Sequence, residues 1–282
     1  YFQNGSIFND TVTTASPRLY LNGATFNGMA TLEKTGALYD NSAGGNTFND
    51  TTLITNSGSG QLLLTNADVD VFNGDVTFTN NGQHLIYIGH NANAAFNGNI
   101  TLNSTGSSWG IRFGQSSGSA DLASGRTISL GTFSVGNLYL RKFTQLGSTP
   151  QTLSPSATNT RLYFQDGTTF NGDLTTTLSG SSILYFQNNS TFNGIVTASS
   201  PRLYLDGATF NGKATIEKTG ASYDYSYGGN TFNDTTWINN SGSGHFLLAN
   251  GNADIFNEDV SFNNSGSQII YIAHNAATSF NG

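Results

Sequence analysis

Residues 19–34 read LYLNGATFNGMATLEK, and residues 203–218 repeat them as LYLDGATFNGKATIEK. In an extended chain successive side chains point to opposite faces. Leu19 and Leu21 therefore share one face and Tyr20 takes the other. After Phe26-Asn27-Gly28, Ala30 and Leu32 fall on one face and Thr31 on the opposite one. Gly and Asn stand between the apolar pieces, where a chain must turn. β-Branched residues come in short runs, and no 3.6-residue apolar stripe persists, so helices are not expected. Two or three short strands, separated by turns, close one coil.

The same coil recurs along the chain. Apolar-Tyr-apolar triplets return at Ile86-Tyr87-Ile88, Leu138-Tyr139-Leu140, Leu162-Tyr163-Phe164 and Leu203-Tyr204-Leu205. Phe-Asn-Gly or Phe-Asn-Asp returns at Phe8, Phe26, Phe48, Phe72, Phe96, Phe170, Phe192, Phe210, Phe232 and Phe280, with Phe-Asn-Glu at Phe256. Tyr1, Tyr20, Tyr39, Tyr87, Tyr139, Tyr163, Tyr185, Tyr204, Tyr223 and Tyr271 form one ladder, with Leu63, Arg112 and Leu247 on its missing rungs. Its steps run 19, 19, 24, 24, 25, 27, 24 and 22, and then restart. A unit of this length, repeated many times, predicts an all-β parallel solenoid with eight coils per 184-residue long repeat.

Residues 1–184 are thus a first long repeat and 185–282 the start of a second, in one continuous solenoid. Residues 1–98 and 185–282 align without a gap at roughly two thirds identity. The stretch 99–169 is the variable part. It lacks Phe-Asn-Gly, and Pro150 and Pro155 predict a looser excursion around residues 149–160. Tyr1 starts and Gly282 ends inside a repeat, so a segment of a longer polypeptide is expected.

Composition narrows the function. Of the 282 residues 10% are charged, and the net charge is −7, which argues against a nucleic-acid partner. No apolar run is long enough to span a bilayer, so membrane insertion is not expected. With no cysteine, thiolate metal sites and disulfides are excluded. The Phe-Asn columns read as scaffold: phenylalanines stack inside, asparagines hydrogen-bond along the stack, and Asn and Gly supply positive φ at a corner.

The tyrosine ladder is the functional candidate. With the flanking aliphatics buried, the phenol rings face outward, and an exposed aromatic stripe marks an interaction surface. The interface candidates are Tyr1, Tyr20, Tyr39, Tyr87, Arg112, Tyr139, Tyr163, Tyr185, Tyr204, Tyr223 and Tyr271. Three readings compete: packing against a second copy in a homo-oligomer, stacking on cell-surface glycans, and a ladder that stiffens its own sheet. A threonine file (Thr13, Thr31, Thr77, Thr101, Thr175, Thr197, Thr215), broken by Leu53, Trp237 and Ser261, fits β-propensity better than ice binding.

A polysaccharide-processing enzyme would need a unique carboxylate cluster. Here Asp70 recurs as Asp254 and His90 as His274, as scaffold residues do. Gly44-Gly45 and Gly228-Gly229 lack the aspartate of a calcium-binding β-roll. No catalytic residue, cofactor site or metal site is assigned.

The passages LNGATFNG, GGNTFND, FNGDVTFTNNG and YIGHNANAAFNGNI resemble the tandem repeats of very large secreted surface proteins of Bacteroidota. That family includes gliding-type adhesins and the filaments of predatory relatives. The resemblance implies export by the type nine secretion route, an extracellular fibre at the cell surface, and a role in attachment to surfaces or other cells.

Overall fold

The computed structural model describes residues 1–106 and 109–282. Every regular element among them is a strand, and the strand pairs are parallel. The fold is a β-solenoid, as the repeat predicts. The chain divides into two compact units, Tyr1–Gly147 and Ser148–Gly282, a division that does not follow the 184-residue period.

Each coil contributes up to three strands, one to each of three faces. In the first unit the phenylalanine face is built from Ile7–Phe8, Thr25–Phe26, Thr47–Phe48, Asp70–Phe72, Asn93–Phe96, Ser119–Leu122 and Phe143–Gln145. The threonine face runs from Val12–Ser16 to Ile128–Phe133 through Ala30–Lys34, Thr52–Asn56, Val76–Asn80 and Ile100–Ser104. The tyrosine face holds Asp40–Asn41, Leu62–Leu63, Ile86–Ile88, Ile111–Phe113 and Leu138–Arg141, with a separate pair, Phe2–Gln3 and Leu21–Asn22. The second unit repeats the three faces from Gln151–Thr152 to Thr278–Phe280.

Alternation decides what is buried. Leu19, Leu21, Phe26, Ala30 and Leu32 are each at most 1% exposed, while Tyr20 and Thr31 between them face outward. In register, Phe26 stacks on Phe48 at 4.9 Å and Phe48 on Phe72 at 4.8 Å. In the second unit Phe210–Phe232 and Phe232–Phe256 stack at 4.9 and 4.7 Å. Burying one such ring stabilises by about 1.5–3 kcal/mol. Beside this column run exposed asparagines: Asn49 Nδ2 donates to Asn27 Oδ1 (2.8 Å), Asn73 to Asn49 (2.7 Å) and Asn97 to Asn73 (2.8 Å).

Two expectations need correction. The glycine of Phe-Asn-Gly is not a positive-φ residue: Gly28, Gly74, Gly98, Gly194 and Gly212 are absent from that region of backbone space. They are glycine because the coil below is too close. A Cβ on Gly98 would sit 2.2 Å from the Gly74 carbonyl oxygen, and one on Gly74 would sit 2.4 Å from the Asp50 carbonyl carbon. Positive φ belongs to the preceding corner, at Asn4-Gly5, Asp166-Gly167 and Asn188-Asn189. The second correction concerns residues 149–160. They form no loose excursion: Gln151, Leu153, Pro155 and Ala157 are buried in strict alternation, and Gln151–Thr152 pairs with Leu174 and Thr175.

Elsewhere the variable stretch keeps the frame with other residues. Leu122 and Gln145 follow Phe96 in the phenylalanine column. Phe113 and Phe143, packed edge to face at 5.4 Å, help refill the core there.

Candidate functional site

The tyrosine ladder exists, but in pieces. Tyr1 stacks on Tyr20 at 4.6 Å. The Arg112 guanidinium lies between Tyr87 and Tyr139, 5.4 and 4.2 Å from the two ring centres. In the second unit Tyr163, Tyr185 and Tyr204 stack at 4.4 and 4.9 Å. Burial against these neighbours pushes the Tyr185 phenol well above the usual tyrosine range. The inner rungs are therefore half-covered by one another, which is what a ladder stiffening its own sheet looks like.

Tyr39 and Tyr223 are not rungs of it. Asn41, not Tyr39, pairs with Leu63, and Tyr225, not Tyr223, pairs with Leu247. The ladder's even spacing hides a slip of two residues, which preserves the face and changes the rung. A buried polar cluster accompanies the slip. Asp40 Oδ2 accepts from Leu19 N–H (2.8 Å) and Ser42 Oγ accepts from Leu21 N–H (3.1 Å). These side chains take the place of the backbone carbonyls that would otherwise complete the sheet. Arg18 pairs with Asp40, and Lys34 Nζ donates to Gly36 O (2.6 Å). The second unit repeats the cluster with Asp224, Ser226, Arg202 and Lys218. Burial raises the Asp224 carboxyl and lowers the Lys34 and Lys218 amines.

Asp70 and Asp254 are scaffold, as their recurrence implies. Asp70 Oδ1 accepts from Asn46 Nδ2 (2.7 Å) and its Oδ2 from Thr65 Oγ1 (2.7 Å), with the residue 2% exposed. Burial pushes both carboxyls up. His90 and His274 hold Asn66 and Asn250 through Nδ1. Among the described residues no group of three His, Cys, Asp or Glu is placed to hold a metal.

The rings displaced from the ladder, Tyr39 and Tyr223, are both more than half exposed. In the first unit Tyr39 meets His84 edge-on at 5.4 Å, and His84 stacks on Trp109 at 5.7 Å. In the second unit Tyr223 meets His245 at 4.4 Å and His245 meets Tyr271 at 5.6 Å. Next to Tyr223, two further tyrosines point outward on alternate positions: Tyr225 is 49% and Tyr227 56% exposed. The ladder passes over both. The signal that could have found them is the local pattern Tyr223-Asp224-Tyr225-Ser226-Tyr227, an alternation whose odd members must share a face.

At the turn beyond Tyr227 the second unit opens into a concavity of about 720 Å³ lined by Gln187, Asn188, Asn189, Asp206, Gly207, Tyr227, Gly228 and Asn252. Asn188, Asn189, Gly207 and Gly228 all have positive φ, so the backbone turns its side chains away from the usual strand directions here. Burial, with Asp254 adding to it, pushes the Asp206 carboxyl up to about 6, although the Tyr227 N–H donates to it.

No protein-family model, no curated protein and no solved structure matches the chain. No described helix is long and apolar enough to cross a membrane.

Proposed function

We propose that the chain is a structural segment of a long extracellular fibre at the cell surface, used in attachment to surfaces or other cells. One observation carries the reading. Within each unit the coils stack strand on parallel strand in register, with Phe on Phe and Asn on Asn along most of the column and Leu122 and Gln145 keeping the register where the motif lapses. A stack built this way lengthens by addition, and its stiffness comes from continuous hydrogen-bond ladders and stacked rings. The resemblance to secreted repeat proteins of Bacteroidota supports placing it outside the cell, reached by type nine secretion.

Side-by-side association with a second copy completes the proposal. Tyr1, Tyr39, Tyr223, Tyr225, Tyr227 and Tyr271 are exposed, and tyrosine is favoured at interfaces for its apolar ring and polar tip. The role is mechanical, and release of product from polysaccharide incubated with the protein would contradict it.

The test is immunogold labelling of intact cells combined with cryo-electron microscopy of the labelled structures. Labelled surface filaments are expected, with tyrosine faces apposed between chains. Label confined to the cell interior would overturn the reading.

A further inference from the structure

We propose that the concavity of the second unit is a binding site for a neutral saccharide, with the Tyr227 ring taking the C–H face of a pyranose and the Asp206 carboxylate accepting from its hydroxyls. The proposal does not rest on the fibre reading, since the site belongs to one unit of one chain.

The wall is a supported aromatic ring. Tyr227 lies against Gly251, where a Cβ would come within 2.4 Å of two ring carbons. The backbone of Gly251 and Asn252 also donates to the Tyr227 carbonyl at 2.8 Å each. One face of the ring is thus packed while the residue stays 56% exposed. Beside the Tyr227 backbone stands Asp206, in register with Gln187 on the neighbouring strand. Its Oδ1 takes the Tyr227 N–H, and among the described residues no hydrogen bond reaches Oδ2. Two amides are held beside it. Gln187 Nε2 donates to Gln165 Oε1 (2.6 Å) and Asn188 Nδ2 donates to Asp166 Oδ1 (3.1 Å), which fixes the orientation of both side chains.

The chemistry selects the ligand class. A planar apolar wall with convergent carboxylate and amide groups suits a polyol ring, whose hydroxyls donate and whose C–H face is apolar. The lining carries no Lys or Arg, so an anionic ligand would meet Asp206 without a counter-charge. A divalent cation would want several oxygen anions, and the lining holds one carboxylate.

The first unit supplies the control. One long repeat earlier, Asn22 stands for Asp206, Ala43 for Tyr227 and Asp68 for Asn252. Asn22 Oδ1 accepts from the Ala43 N–H at 2.7 Å, the same bond that Asp206 makes. The backbone therefore tolerates Asp206→Asn and Tyr227→Ala, and the ring and the charge are what the second unit adds. The titratable and charged groups around Asp206 are Asp254, Tyr204, Tyr227 and, through Asn188, Asp166. Protonation of Asp206 removes an acceptor, so binding weakens as pH falls through about 6.

The experiment screens the full chain on an array of neutral and acidic glycans, then titrates the best neutral oligosaccharide by calorimetry at about pH 7.5 and about pH 5. Neutral hits are expected. Tyr227→Ala should weaken affinity about tenfold or more, and Asp206→Asn should weaken it and abolish the difference between the two pH values. Circular dichroism melts should match the native protein to within a few degrees, for Tyr227→Ala at about pH 7.5 and for Asp206→Asn at about pH 4, where Asp206 is protonated. Four results would each overturn the proposal: no binding up to about 10 mM saccharide, hits confined to acidic glycans, affinity unchanged in both variants, or the same heat from calcium chloride alone.

Discussion

Residues 39–45, Tyr-Asp-Asn-Ser-Ala-Gly-Gly, and residues 223–229, Tyr-Asp-Tyr-Ser-Tyr-Gly-Gly, are the same turn of the same repeat in two units. The inward residues are identical. Asp40 and Asp224 are fully buried, as are Ser42 and Ser226, and each accepts the same backbone N–H groups. The outward residues differ: Asn41 and Ala43 in the first unit, Tyr225 and Tyr227 in the second. A strand separates the two duties by parity alone. Even positions are tied to the core, and odd positions are free to acquire a surface without disturbing it.

That comparison can be broken most severely from the inside. Phe48→Ala and Phe232→Ala should each destabilise their unit by about 3–5 kcal/mol, since each empties a ring-sized space between two stacked neighbours. Urea unfolding of the two variants should give equal losses. A marked inequality would mean that the cores are not equivalent. Asp40→Ala and Asp224→Ala should cost about 3 kcal/mol each by breaking the ion pair with Arg18 or Arg202 and leaving one buried N–H, of Leu19 or Leu203, without an acceptor. Arg18→Ala, with its cation in water, should cost clearly less than either.

The outward differences give smaller effects with different signatures. The Asp206 carboxyl is raised from 3.8 to about 6, so the folded state binds its proton more readily than the unfolded chain does. Its contribution is fully present below the unfolded value and is lost as pH rises through about 6. The native protein should therefore gain about 2 kcal/mol from this group between pH 7 and pH 4, and Asp206→Asn should lose that share of the gain. Melts of the two proteins across this range check it, and parallel curves would contradict it. Tyr223→Ser with Tyr225→Ser should change stability by less than about 0.5 kcal/mol per site yet reduce self-association. Sedimentation equilibrium of the double variant reads this, and unchanged association would remove the tyrosine face as the interface.

Much of this molecule is legible as periodicity. Phe8 to Phe96 and Phe170 to Phe280 stack where the Phe-Asn motif says they must, and the asparagines beside them bond along the column as expected. The threonine file also holds in register: Thr13 on Thr31, and Thr175 on Thr197 on Thr215. Tyr39 and Tyr223 fall on the ladder in sequence but off it in space, because even spacing cannot detect a slip of two residues, which keeps the face and alters the partner. For the Phe-Asn-Gly glycines the sequence reveals that a Cβ is unwelcome, not whether φ or the coil below forbids it, and here the coil below does.

The sequence by itself determined the solenoid, its coil length, its buried faces and its outward tyrosines, because all of these follow from local alternation and repetition. Tertiary structure alone decided which residue sits above which. It placed Asp40, Lys34 and Asp70 in the core with their partners, and it joined Asp206 to Tyr227 and Asn252 across three neighbouring coils. Those pairings depend on the length of every intervening turn, and a column of contacts between coils is a property of the stack and not of any one strand.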